Sequence, residues 1–224
     1  MYKIDFAKYP FPARTRHHTN PSFYIALSEL EVKPDGYPPL LASINWSDYF
    51  INSMPPTKLD IGCGRGLFTL TIADNEPQNN ILGIEVRQWC CDWLQNFIHS
   101  ESIANCGILR YSVPNGLPFI SDSSIDEIYY LFPDPWIKTK HIKRRAFTLD
   151  FLNEVYRMLN DSGELYLATD LEEVHKYHIH LLNKFGKFQH QVITNDSEWN
   201  KPQTNKEIFC RKEGIPFYRI IAKK

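Results

Sequence analysis

The chain has 224 residues, with 25 Lys+Arg against 26 Asp+Glu and a formal net charge of −1. That length is roughly one and a half typical domains, which accommodates one sizeable α/β unit with extensions and argues against three domains. A hydrophobic content of 43% with 23% charged residues excludes a disordered chain, and no apolar run approaches the ~18–20 residues of a membrane span. The opening Met1-Tyr2-Lys3-Ile4-Asp5-Phe6 carries an early acid and no apolar core, so no secretory leader is read there. Five cysteines form an odd set with no C-x-x-C pair, which predicts reduced thiols and a cytoplasmic location.

In chain order, six of the fifteen prolines fall in residues 1–39, with Arg14-x-Arg16-His17-His18 between them. This composition predicts an extended arm with one or two short helices, Asn20-Pro21 serving as cap and first turn. Residues 1–54 are read as this arm and 55–224 as the main domain. Strand and helix patterns then alternate: Lys58–Ile61 as a strand, 66–74 as a helix, Ile81–Val86 as a strand, and 87–99 as a helix with Trp89, Trp93, Leu94 and Phe97 at helical spacing. Ile108–Tyr111 and Ile125–Phe132 are the third and fourth strands. A helix near 145–159 leads through Asp161-Ser162-Gly163 into Glu164–Ala168, the fifth. Such alternation predicts parallel strands joined by right-handed crossovers, a doubly wound sheet. Phe188–Thr194 and Phe217–Ala222 are strands with no long helix between them, predicted to close one edge as an antiparallel hairpin around the polar segment 195–216.

The sharpest local signal is Asp60-Ile61-Gly62-Cys63-Gly64-Arg65-Gly66. A strand running into three alternate glycines and then a helix lets the backbone turn tightly against a ligand. Dinucleotide sites usually place the third glycine one residue later, where this chain has Leu67, and rarely put an acid inside the first strand, where it would repel a pyrophosphate. Asp60 suits a cationic ligand end, and S-adenosylmethionine offers an ammonium and a sulfonium with no phosphate. Glu85 ends the second strand, where a carboxylate accepts both ribose hydroxyls.

After the fourth strand comes Phe132-Pro133-Asp134-Pro135-Trp136, which lies beside the first strand's loop at the switch point of such a sheet. The flanking prolines fix φ and hold the Asp134 carboxylate in one orientation. Lys138, Lys140, Lys143, Arg144 and Arg145 follow, five permanent cations in eight residues. At the mouth of a crevice that run reads as a phosphate footprint, to which Arg14, Arg16, His17 and His18 add.

Taken together these residues resemble the tRNA (guanine-N7)-methyltransferases. The matching pieces are Asp60 through Gly66, Gly83-Ile84-Glu85, Phe132 through Trp136 with Lys138 and the basic run, Thr169-Asp170, Thr204-x-x-Glu207, and Gly214-x-Pro216-x-Tyr218-Arg219, with Arg14-x-Arg16-x-His18-x-Asn20-Pro21 resembling the arm of some members. The resemblance covers essentially the whole chain. It implies a Rossmann-like class I methyltransferase fold, a mostly parallel seven-stranded sheet with helices on both faces and an antiparallel C-terminal hairpin. It further implies S-adenosylmethionine as cofactor, tRNA as partner, and the variable-loop guanine (position 46) as target. Carried over residue by residue, Asp60, Gly62, Gly64, Gly66 and Glu85 would bind the cofactor and Asp134 would stand at the reacting centre. Lys138, Asp170, Thr204, Asn205, Lys206 and Glu207 would contact the tRNA, beside Lys140, Lys143, Arg144 and Arg145. Ser112-Val113 departs from the family's acid or amide followed by Ala near the adenine, so Ser112 is expected to make that contact, with Asn115 as its substitute.

Two further readings stay open: a methyltransferase acting on another RNA position or an exocyclic amine, and a non-catalytic RNA-binding module. His175, His178 and His180 share one helical stretch without a carboxylate partner, so no metal site is expected. Cys90 and Cys91 read as core, and Cys63 as a small loop residue with no His to activate it. No heptad demands a partner helix, so a monomer is expected, with a partner subunit left open.

Overall fold

The computed structural model describes residues 2–12, 19–136 and 143–224. Strands β1 (Lys58–Ile61), β2 (Ile81–Glu85), β3 (Cys106–Arg110), β4 (Ile125–Leu131), β5 (Leu159–Thr169), β6 (Gln189–Ile193) and β7 (Tyr218–Lys223) form one sheet in the order β3-β2-β1-β4-β5-β7-β6. The first five pair in parallel, and β7 runs antiparallel to both β5 and β6. This is the Rossmann-like, mostly parallel seven-stranded arrangement with its C-terminal hairpin at one edge.

Alternate residues of each strand serve opposite faces. Leu82, Ile84, Ile128, Tyr130, Leu165 and Leu167 join one core with Phe151, Leu152 and Val155 of α3 (Leu149–Met158) and Leu181 and Leu182 of α4 (Glu172–Phe185). Ile81, Ile108, Tyr129, Tyr166 and Ala168 join the other, with Phe68, Leu70 and Ile72 of α1 (Leu67–Asn75) and Cys91, Leu94 and Phe97 of α2 (Gln88–Ser100). Helices therefore cover both faces, and both faces of the central strands are dry. That dryness explains why β1 and β2 read as unbroken buried runs rather than as an alternation.

Two boundaries differ most from the sequence reading, while β3 also starts two residues earlier, at Cys106. Helix α3 starts only at Leu149, where the Thr148 hydroxyl accepts from the Phe151 N–H at 3.1 Å. Strand β5 starts at Leu159, so Ser162 and Gly163 lie inside it at a register shift against β4. A Cβ at Gly163 would come within 2.9 Å of Leu159, so the bulged backbone demands glycine there. The segment between β6 and β7 holds two short helices, α5 (Asp196–Trp199) and α6 (Asn205–Glu213).

Residues ahead of β1 wrap both faces. Tyr2, Ile4 and Tyr9 pack on the α1–α2 side, while Trp46, Tyr49 and Phe50 pack on the α3–α4 side. Short 3-10 helices occur at Pro21–Tyr24, Leu27–Glu29 and Trp46–Asp48. At the amino ends of the strands, Lys58 pairs with Glu76 and Glu127, and Lys201 pairs with Glu127. This ion-pair cluster closes the end of the sheet opposite the glycine loop.

Candidate active site

Strands β1 and β4 are neighbours, yet their helices α1 and α3 cover opposite faces, so the chain diverges at their carboxyl ends and leaves a crevice. The crevice encloses about 800 Å³ counting its open mouth, and Gly62, Glu85, Tyr111, Val113, Asp134 and Arg144 are among its lining residues. Gly62 has φ +81° and no atom within 4 Å of where a Cβ would stand, so its backbone faces open space. Gly66, at φ +72°, is fixed by packing instead: a Cβ would sit 2.5 Å from Leu94 of α2. Gly64 donates its N–H to Glu85 Oε2 at 3.0 Å.

Glu85 is 4% exposed, and its carboxylate also accepts from the N–H groups of Val86 and Arg87 and from both Nε and Nη2 of the Arg87 side chain. A buried, donor-supplied carboxylate on the wall of a nucleoside-sized crevice fits the ribose of S-adenosylmethionine, and the open face of Gly62 fits close approach of its tail. Asp60 lies beneath the loop rather than on the crevice wall. It is 3% exposed and accepts from the Thr69 hydroxyl at 2.6 Å. Burial pushes its carboxyl up to about 7, with Thr69 opposing and the Glu85 charge adding.

Ser112, the expected adenine contact, is engaged by the segment before β1. Its side chain is fully buried and its hydroxyl donates to the Phe23 carbonyl at 2.6 Å. Asn115 is likewise engaged, accepting from the Leu27 N–H and donating to the Tyr37 hydroxyl. Both residues tie down the segment before β1, and the crevice wall at this point is made by Tyr111, Val113 and Pro114.

Asp134 is exposed at the crevice mouth, between Phe132 (φ +51°) and Trp136 (φ +40°). Bulky residues at positive φ cost about 1–2 kcal/mol each. The loop holds them through the Phe132 N–H bonded to the Ala168 carbonyl at 2.7 Å and Arg145 Nε bonded to the Trp136 carbonyl at 3.3 Å. Arg144 lies over the Trp136 ring, 5.0 Å from its centroid, and lines the same crevice as Gly62. Tyr24 approaches from above, its ring 5.2 Å from that of Trp136.

The family described as "Putative methyltransferase" matches residues 55–219. A tRNA (guanine-N(7)-)-methyltransferase of Brevibacillus brevis is 33% identical over 191 residues, covering 82% of this chain and 87% of that one. One from Lactobacillus gasseri is 31% identical over 185 residues, covering 80% and 85%. The chain belongs to the tRNA (guanine-N7)-methyltransferase family. Among solved structures, a SAM-dependent methyltransferase from Aquifex aeolicus superposes with a TM-score of 0.50 at 17% identity, covering 75% of this chain and 81% of that one, a likeness of fold. Membership in the tRNA (guanine-N7)-methyltransferase family makes the chain an enzyme, a methyltransferase with S-adenosylmethionine as cofactor.

The residues that the family resemblance assigned to tRNA divide into four groups. Lys138 and Lys140, with His141 and the arm's Arg14, Arg16, His17 and His18, lie outside the described residues. Lys143 is exposed, while Arg144 and Arg145 are half-buried, Arg145 lying over the Tyr177 ring. Asp170 follows β5 and pairs with Lys206 at 2.7 Å, which brings the start of α6 to the same rim, with Asn205 exposed on it. Thr204 and Glu207 are spent within the protein. The Thr204 hydroxyl caps α6 by accepting from the Glu207 N–H at 3.0 Å. The Glu207 carboxylate, 2% exposed, is bonded to Arg219 and Arg211. A Thr-x-x-Glu ahead of a helix is a capping signature, and that reading was available from the sequence. Phe23, Tyr24 and Arg87 line the crevice without having been anticipated. Only Arg87, two residues past Glu85, carried a local cue.

His178 packs 4.3 Å from the Phe147 ring, and His175 stacks on Tyr218 at 4.8 Å. Among the described residues no group of three His, Cys, Asp or Glu side chains is placed to hold a metal ion, and no helix is long and apolar enough to cross a membrane. All five cysteines are free thiols.

Proposed function

We propose that this chain methylates N7 of guanine in tRNA, at the variable-loop guanine (position 46), acting in the cytoplasm as a single chain. The observation that carries the reading is that Arg144 of the basic run lines the same crevice as Gly62 and Glu85, with Asp134 at its mouth. Cations for a phosphate backbone and a site for a nucleoside-linked donor therefore share one opening. The curated relatives bear the corresponding name.

When bound, S-adenosylmethionine supplies an electrophilic methyl on a sulfonium. Guanine N7 carries an in-plane lone pair and no proton, so no general base is required, and catalysis rests on placement and electrostatics. Glu85 accepts the ribose hydroxyls and fixes the donor's position. Asp134 orients the guanine edge and stabilises the positive charge that moves onto the purine. Asp170 is the acidic candidate to accept from guanine N1 and N2, since Glu207 is bonded to Arg219. Trp136 offers an aromatic face on which an extruded base stacks.

The test is incubation of tRNA lacking the modification with purified protein and labelled donor, followed by digestion to nucleosides. Label in 7-methylguanosine supports the reading. Label in N6-methyladenosine or another base, or RNA binding without any donor binding, refutes it.

A further inference from the structure

The segment before β1 forms a fixed cover over the donor crevice, held on both sides of Tyr24. Ahead of it, the Phe23 carbonyl accepts from Ser112, and the Phe23 ring meets Tyr37 edge-on at 5.8 Å. Behind it, the Ile25 carbonyl accepts from the Tyr37 hydroxyl at 2.6 Å, and the Leu27 N–H donates to Asn115 at 2.7 Å. Asn20 caps the short helix Pro21–Tyr24 through the Ser22 N–H. The backbone on either side of Tyr24 is thus bonded to Ser112 and Asn115, which follow the edge strand β3, and to Tyr37 of the covering segment itself, which leaves the direction of its side chain little freedom. That side chain lines the same crevice as Glu85 and Asp134, its ring 5.2 Å from that of Trp136, two residues past Asp134.

We propose that Tyr24 is a positioning residue for methyl transfer: its hydroxyl donates to the Asp134 carboxylate and sets that group's direction, while its ring closes the donor crevice. The proposal rests on the role given above to Asp134. Burial, together with the neighbouring Asp134 charge, holds the Tyr24 hydroxyl well above the usual tyrosine range, so it remains a donor throughout the neutral pH range. Asp134 is exposed and flanked by strained backbone, so the prolines fix its main chain and Tyr24 fixes the carboxylate itself.

Tyr24→Phe keeps the ring and removes the hydroxyl. Its single-turnover rate with saturating tRNA and donor is expected to fall by about tenfold, the worth of one hydrogen bond to a charged group, with donor Kd and tRNA KM within about twofold of wild type. Tyr24→Ala is expected to weaken donor binding by about tenfold as well, through loss of the half-buried ring. In an Asp134→Asn background, Tyr24→Phe is expected to cost nothing further, because the two act as one unit. Full turnover by Tyr24→Phe, or a full additional loss in the Asp134→Asn background, overturns the proposal, and so does unchanged donor affinity in Tyr24→Ala. Wild-type protein assayed alongside separates the two levels. If it fails to methylate tRNA, the reading of the function falls and takes the inference with it. If it is active and Tyr24→Phe equally so, only the inference falls.

Discussion

Arg87 grips both oxygens of the Glu85 carboxylate, its Nε 3.0 Å from Oε1 and its Nη2 2.8 Å from Oε2. The proposed ribose acceptor is therefore held, in this structure, by a guanidinium fork on the same crevice wall. Donor binding has to draw Glu85 away from part of that fork. Arg87→Met removes the competitor and leaves the three backbone donors to Glu85 intact, so donor affinity measured by calorimetry is expected to tighten by about fivefold, roughly 1 kcal/mol. Glu85→Gln is expected to weaken it by tenfold or more on the same scale. An Arg87→Met protein that binds donor more weakly shows that the arginine contacts the donor instead of competing with it.

Asp134 carries charge where the product purine becomes cationic. Asp134→Asn keeps the shape of the loop and removes the charge, so methyl transfer is expected to drop by about 10²–10³-fold with donor Kd nearly unchanged, the range seen when one electrostatic partner of a transition state is lost. Near-wild-type turnover removes Asp134 from the chemistry.

Glu207 and Arg219 are a buried pair, 2% and 5% exposed, with Asp196 and Arg211 extending the network outward. Glu207→Gln leaves Arg219 buried with only the more exposed Asp196 as anion, at a cost of about 3 kcal/mol and therefore roughly 6–12 °C in Tm for a chain of this size. The tRNA KM is expected to stay within about twofold. A raised KM with unchanged Tm shows that Glu207 contacts the substrate after all.

Two buried titrating groups push stability in opposite directions with pH. Burial lowers His178 to about 3, so between that value and the ordinary histidine pKa the unfolded chain binds one more proton; stability rises with pH through the window and is lost on acidification. Asp60, raised by burial to about 7, does the reverse: from the ordinary carboxylate range up to 7 the folded chain binds the extra proton, and stability falls as pH rises. Relative to wild type, His178→Phe is therefore expected to be about 2 kcal/mol better at pH 5 than at pH 7.5, and Asp60→Asn about 2–3 kcal/mol better at pH 7.5 than at pH 5. Denaturant titrations at the two pH values check both signs.

What could be read from the chain alone was local. The glycine triplet after a buried strand, Glu85 at the next strand's tip and Asp134 between two prolines each announce themselves within a few residues, and parallel topology brings them to one end of the sheet. The cover over the crevice was hidden because it is long-range: Phe23 meets Ser112 across 89 positions, and no periodicity encodes that contact. The setting of Ser112 was hidden for the same reason, its hydroxyl being bonded to the covering segment. The setting of Thr204 and Glu207 was equally hidden, because a motif shared with a family does not say which side chains meet it from other strands. A single arginine, Arg219 on β7, draws Glu207 inward.

The measurement closest to the central claim is borohydride–aniline cleavage of full-length tRNA after incubation with the protein and S-adenosylmethionine, which cuts the chain wherever a guanine carries a methyl at N7. A single new cut in the variable loop, absent when the donor is omitted and absent with Asp134→Asn, is the predicted result. Uncut tRNA that has nonetheless taken up methyl label, or cuts scattered over many guanines, contradicts it.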